Sequence, residues 1–189
     1  YGSAQSRERV ISGEIIKRKR LVIPSATHNK KISNRESLPL WRGLNSVINQ
    51  LPSPISLSSP RKIIDPNYPS LSINLEELTD NFYDSGLFEC EWKQSQYLKI
   101  NHPYMGKMAF PEDKDKPSRT ITATKIGTSR EALIYKSEYN RKGDGEFRTP
   151  TVREAACIMG FPITYQFCGG ETTKWRLVGN AVCPSVSRA

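Results

Sequence analysis

The chain has 189 residues, with 28 Lys and Arg against 19 Asp and Glu for a net charge of +9, a hydrophobic share of 37% and a mean hydropathy of −0.56. That length suits one large or two small domains of roughly 100–200 residues each, while no apolar run approaches the roughly 20 residues of a membrane helix and no secretory leader opens the chain, which excludes a helical membrane span. Cys90, Cys157, Cys168 and Cys183 show no C-x-x-C spacing and lie far in sequence from His28 and His102; this excludes the zinc patterns readable from sequence and any inferred disulfide framework, so no metal and a reducing, cytosolic compartment are expected.

Residues 4–11, Ala4-Gln5-Ser6-Arg7-Glu8-Arg9-Val10-Ile11, read as a strand on which Gln5, Arg7 and Arg9 share one face, because strand side chains alternate. The chain opens on Tyr1 rather than Met and runs straight into this strand, so a fragment of a longer polypeptide is expected. Lys17-Arg18-Lys19-Arg20 reads as a solvated basic loop. Leu40, Leu44, Val47, Ile48 and Leu51 form the stripe of an amphipathic helix, with Pro39 in its first turn and Pro52 at its end. The Pro- and Ser-rich residues 52–73 read as loop. Asn74 and Glu77 resemble an N-cap with a reciprocal partner and, with Leu75, Leu78 and Phe82, predict a second helix of about two turns. From Cys90 to Phe110 aromatics mix with turn residues and no element stands out; Asp113 to Pro117 is a polar turn.

Thr120–Thr124 and Ala132–Tyr135 are β-prone, and the polar stretch around Gly127 between them predicts a hairpin loop. Thr151-Val152-Arg153-Glu154 is a T-x-x-E capping box, Val152, Ala155, Ile158 and Met159 follow at helical spacing, and Gly160 with Pro162 stops the run. The pattern predicts a helix over 152–159. Asn180 is read as the cap of a last helix that tolerates Pro184 in its first turn. No internal repeat is visible, and the pattern alone gives an α+β class with helices interrupting short strands.

Three separated segments together resemble the C-terminal part of the C5-cytosine DNA methyltransferase family. Gln5-Ser6-Arg7-Glu8-Arg9-Val10 looks like its Q-x-R-x-R motif, Thr151 to Ala156 through Met159-Gly160-Phe161-Pro162 like its T-x-R-E-A…GFP motif, and Val178-Gly179-Asn180-Ala181-Val182 like its GNAV motif. Pro117 to Ala123 resembles the Thr-Leu/Ile element near the end of the family's target-recognition domain. The order and spacing match across the whole chain. The resemblance implies a small target-recognition domain at 17–148, flanked at 1–16 and 149–189 by segments of an α/β S-adenosylmethionine-dependent methyltransferase domain.

The chemistry the resemblance implies sets what each residue must do. A thiolate attacking C6 of cytosine drives negative charge toward N3 and O2 of the ring, so the site needs fixed cationic donors there. Arginine suits that need, being always charged and planar. By resemblance Arg9 holds the flipped base, with Arg7 beside it and Gln5 in support; the alternative reading is a surface strand with Arg and Glu8 paired. Thr151 and Glu154 are better explained by capping than by catalysis, and Arg153 by hydrogen bonds tying the recognition domain to its neighbour.

The resemblance places Gly179, Asn180 and Ala181 at the S-adenosylmethionine pocket, where a helix N-terminus would meet a carboxylate; an ordinary capped helix is the equal alternative. Duplex DNA is the implied partner, in keeping with a pI near 9.5. Thr120, Ile121 and Thr122 lie by resemblance against the DNA backbone beside the extruded nucleotide. Lys125, Ser129 and Arg130, on the loop that follows, are candidates for phosphate or base-edge contacts.

The departures matter as much. The family's Pro-Cys nucleophile, its glycine-rich cofactor loop and its Glu-Asn-Val motif belong upstream of the first motif and are absent from these 189 residues. Cys183 precedes a proline instead of following one and is no substitute; Cys157 reads as a core residue and Cys168 as a loop thiol. The implied activity is therefore methyl transfer to C5 of a flipped cytosine, with the catalytic portion supplied upstream in the same chain or in a separate one. The rival reading is a non-catalytic DNA-recognition subunit. The family's commonest setting is host modification beside a restriction enzyme, in the cytoplasm and associated with the nucleoid in a bacterium.

Overall fold

The computed structural model describes residues 2–8, 10, 24–30, 37–55, 61–83, 85–101, 103, 106–124, 128–137 and 146–188. Helix α3 (Val152–Met159) sits at the centre, and its formation is written locally. Thr151 Oγ1 accepts the Glu154 N–H at 3.0 Å while the Glu154 carboxylate accepts the Thr151 N–H at 2.8 Å, which satisfies two of the helix's orphan donors. Gly160 ends it with φ of 91°, a left-handed geometry that suits glycine. All eight helical residues are buried, so the charged ones need partners. Arg148 meets Glu154 through two bonds of 2.7 and 2.8 Å, and Arg153 donates to the carbonyls of Thr79, Ile163 and Tyr165.

Around α3 the chain builds small antiparallel pairs and short helices, a mixed α and β architecture. Strands β1 (Lys62–Ile64) and β2 (Ser72–Asn74) pair with Ile63 opposite Ile73. Buried Asp65 organises their connection: Oδ1 accepts the N–H groups of Asn67 and Tyr68, and Oδ2 accepts that of Ile163 at 2.6 Å. The reading of 52–73 as loop is thereby corrected; each strand has three residues and one buried isoleucine, too few to show alternation. Asn67 and Tyr68 then donate to the carbonyls of Cys157 and Gly160 at the end of α3.

The helix expected over 40–51 contracts to α1 (Asn45–Ile48). Leu44, Val47, Ile48 and Leu51 are buried as the stripe requires, but Leu40 bridges Asn29 instead. At Gly43 a Cβ would lie 2.5 Å from the Asp115 carbonyl oxygen, so the chain passes too close there for a side chain. The two-turn helix expected after Asn74 is a single 3-10 turn, Leu75–Glu77, in which Glu77 still accepts the Asn74 N–H at 3.3 Å.

Helix α2 (Glu89–Ile100) is the largest element that the sequence pattern did not show. Its buried residues are Ser95 and Lys99, which donate to the carbonyls of Ser129 at 3.0 Å and Ala132 at 2.6 Å. The expected hairpin between 120–124 and 132–135 does not form: β3 (Tyr135–Lys136) pairs with β4 (Phe147–Arg148), and the 118–120 stretch runs beside residues 4–6. The C-terminal expectation is also corrected. Helix α4 (Glu171–Asn180) ends at Asn180, and the last helix, α5 (Pro184–Arg188), opens on Pro184, so Asn180 is not an N-cap.

One hydrophobic cluster takes in Ala4, Leu44, Val47, Ile121, Ile158 and Val178. It thus joins all three stretches that the motifs delimit. Among the described residues no helix is long and apolar enough to cross a membrane.

Candidate functional site

Motif segments far apart in sequence meet around Gln5, Arg7 and Ile121. The first contributes Ala4 to Arg7, which runs parallel to 118–120: Ser118 donates to the Ala4 carbonyl at 2.8 Å, Ser6 donates to the Ser118 carbonyl at 2.7 Å, and Thr120 Oγ1 donates to the Ser6 carbonyl at 3.3 Å. Alternation along this extended stretch aims Gln5 and Arg7 the same way. Gln5 Oε1 accepts the Ile121 N–H at 3.1 Å and its amide nitrogen reaches Met159 Sδ of α3. Arg7 donates through Nη1 to the Ile121 carbonyl at 2.8 Å and through Nη2 to the Gly179 carbonyl at 2.7 Å.

The last segment closes over the same place. Gly179 lies near the end of α4, and a Cβ on it would stand 2.4 Å from the Thr122 carbonyl oxygen and 2.5 Å from Ala123 Cα and N. These neighbours are backbone, so only a glycine lets α4 approach. The GNAV glycine therefore acts here through close packing. Ile121 itself is buried, Thr120 and Thr122 are half-buried, and Thr122 Oγ1 turns back to the Thr124 carbonyl at 2.9 Å.

A polar cluster fixes the approach to this segment from the other side. Arg119 grips buried Glu112 with two of its nitrogens, and Lys99 Nζ lies 3.5 Å from the same carboxylate. Burial and the nearby Arg119 charge depress the Lys99 ammonium to about 8, against the partial restoring effect of Glu112. Sequence reading missed Lys99 and Glu112, which carry no motif; Arg119 is quoted within one but without a role.

The other expected residues sit as follows. Arg9 and Lys125 lie outside the described residues. Ser129 is part of a turn, its hydroxyl accepting the Ala132 N–H at 3.1 Å and its carbonyl accepting from Ser95. Arg130 is half-buried and paired with Glu131. Asn180 is exposed at the end of α4, and the Ala181 N–H is given to the Val178 carbonyl at 3.3 Å.

The expected helix N-terminus at 179–181 is thus a helix C-terminus, whose dipole presents carbonyl oxygens instead of N–H groups. Against a ligand with both carboxylate and ammonium groups, the exposed Asn180 carboxamide fits as one donor and one acceptor, and the helix dipole supplies nothing for the carboxylate. Cys157 is buried, which pushes its thiol up to about 12, and Cys183 Sγ lies 3.0 Å from Ser185 Oγ; neither is poised as a nucleophile. Among the described residues no group of three or more His, Cys, Asp or Glu is placed to hold a metal ion.

The sequence that builds this site has counterparts among known proteins. The family model for the C-5 cytosine-specific DNA methylases matches residues 1–189, and the chain belongs to that family. Relatives include the DNA (cytosine-5)-methyltransferase CMT2 of Arabidopsis thaliana, 50% identical over 42 residues, which is 22% of this chain and 3% of that protein. The type II methyltransferase M.HgiCII of Herpetosiphon aurantiacus is 48% identical over 42 residues, 22% of this chain and 10% of that protein. The type II methyltransferase M.AplI of Arthrospira platensis is 32% identical over 75 residues, 40% of this chain and 21% of that protein. The matched stretches are thus a minor part of each relative's length.

Proposed function

We propose that the chain is the target-recognition and C-terminal portion of a DNA cytosine-5 methyltransferase, which turns a cytosine out of duplex DNA and methylates its C5. The observation that carries this reading is the convergence of the motif segments: Gln5 and Arg7 hold the Ile121 backbone, Arg7 also takes the Gly179 carbonyl, and Gln5 reaches Met159 of α3. Residues 17–148 form the recognition domain, and 1–16 with 149–189 belong to the catalytic domain. S-adenosylmethionine, when bound, supplies the methyl group in electrophilic form.

The residues of this chain position and stabilise. Arg9, two residues beyond Arg7, supplies the cationic donor that holds the flipped base and stabilises charge developing on its N3 and O2 side. Thr120 and Thr122, flanking buried Ile121, face the DNA backbone beside the extruded nucleotide, and Lys125, Ser129 and Arg130 are further candidates for phosphate or base-edge contacts. Asn180 would hold the polar end of the cofactor through its carboxamide, with Ala181 beside it in sequence. The attacking thiolate comes from the family's Pro-Cys element, outside these 189 residues, in the same chain or a separate one. The reaction belongs to a cytosolic modification enzyme of the restriction-modification type.

A labelled-methyl assay on the parent protein tests the reading: label is expected on cytosine C5 of duplex DNA, and none on any DNA would sink it. Within an active parent, Arg9→Ala is expected to lower turnover strongly while duplex affinity, which rests on phosphate contacts, changes little. Unchanged turnover would show the arginine to be misassigned.

A further inference from the structure

We infer that Gln5 and Arg7 are positioning residues, which fix the Thr120–Thr124 segment against the end of α4, and do not touch the reacting base. The inference rests on the proposed function for what that segment contacts, but its geometry stands separately. Gln5 takes the N–H of Ile121 at 3.1 Å and Arg7 takes its C=O at 2.8 Å, so both backbone polar groups of one residue are held by alternate side chains of one extended stretch. The second arm of Arg7 takes the Gly179 carbonyl at 2.7 Å. The guanidinium is a fork, and with both terminal nitrogens committed to carbonyls on two different segments it acts as a clip between them.

Two further contacts point the same way. Gln5 is buried, and its amide nitrogen ends on Met159 of α3, which leaves it no route to a ligand. Gly179 lies so close to Thr122 and Ala123 that the clip and the close packing fix the same three residues. Upstream, Arg119 is tied to Glu112 and to the Ala132 carbonyl at 3.1 Å, so the segment enters its turn already anchored. The structure thus assigns Gln5 and Arg7 to holding backbone, and under the proposed function the chemistry falls to Arg9.

The test uses the parent protein and reads two things: hydrogen exchange in peptides covering 118–124 and 176–181, and KM for duplex DNA against kcat. Arg7→Ala is expected to speed exchange in both peptides by about tenfold or more and to raise KM for DNA about tenfold with kcat within about threefold. Arg7→Lys, still cationic and able to reach one carbonyl, is expected to recover part of both. A kcat loss of about a hundredfold or more with unchanged KM and unchanged exchange would overturn the inference, since Arg7 would then act on the base. Should Arg7→Ala fail to fold, Gln5→Leu removes two neutral hydrogen bonds, the one accepted from the Ile121 N–H and the one donated to Met159; faster exchange at the Ile121 amide supports the clip and unchanged exchange overturns it. The exchange readout needs no methyl transfer, so a parent that methylates nothing would sink the proposed function while leaving the clip to be judged by exchange alone.

Discussion

Gly179→Ala is the perturbation whose sign separates close packing from ordinary helix preference. The new Cβ would stand 2.4 Å from the Thr122 carbonyl oxygen and 2.5 Å from Ala123 Cα and N, so one backbone must retreat by about 1 Å to reach ordinary contact. Overpacking of this kind typically costs ~1–3 kcal/mol, and here the upper part of that range applies because all three neighbours are backbone. Alanine in a helix is worth at most ~1 kcal/mol over glycine, and less in a last turn. The net expectation is a loss of ~1–2 kcal/mol, read as a lower denaturation midpoint in urea at unchanged m-value. The retreat also lengthens the bond from Arg7 to the Gly179 carbonyl, so exchange at 118–124 should rise with it. A variant as stable as the parent, or more stable, would refute the reasoning, because helix propensity alone predicts a gain.

Two other outcomes follow from buried titratable groups. Lys99 has an ammonium depressed to about 8 against an ordinary 10.5, so between those values the unfolded chain binds more protons and stability rises with pH, by at most ~3 kcal/mol. Comparing the protein with Lys99→Met isolates this: the stability difference, parent minus variant, should grow from pH 8 to 10.5, and a flat difference would contradict it. Cys90 and Cys168 are exposed while Cys157 is buried with its thiol pushed up to about 12; a thiol reagent at pH 8 should label the first two and spare Cys157 in the folded protein. Labelling of Cys157 as fast as Cys168 would contradict its burial.

What the sequence revealed follows from where each element's determinants lie. Helix α3 was legible because its start and stop are local: Thr151 and Glu154 cap each other across three residues, and Gly160 ends the run. The stripe from Leu40 to Leu51 correctly named four buried residues but overstated the helix, since hydrophobic period reports burial and leaves backbone dihedrals open. Helix α2 was invisible for the opposite reason. Its buried positions are Ser95 and Lys99, and what makes their burial tolerable is a pair of carbonyls at Ser129 and Ala132, more than thirty residues away. Asn180 was misplaced because asparagine serves at either end of a helix, and the proline that follows at 184 suits a first turn.

The same distinction explains why the roles of Gln5 and Arg7 were beyond the sequence although their importance was not. A Q-x-R-x-R spacing puts three polar side chains on one strand face, and period two makes them equivalent. What marks out Gln5 and Arg7 is the partners they meet, chiefly backbone groups at 121 and 179, which carry no side-chain identity for a motif to record. The Gly179 requirement is likewise set by backbone, at Thr122 and Ala123. A site built by side chains holding main chain leaves its trace as residues that tolerate no substitute, with nothing in the letters to say what they hold. Arg9 is the residue of that face whose function the reading still assigns to substrate, and so the opposite kinetic signatures expected of Arg7→Ala and Arg9→Ala, one in KM for DNA and the other in kcat, are the clearest measure of whether holding and chemistry are divided along this strand.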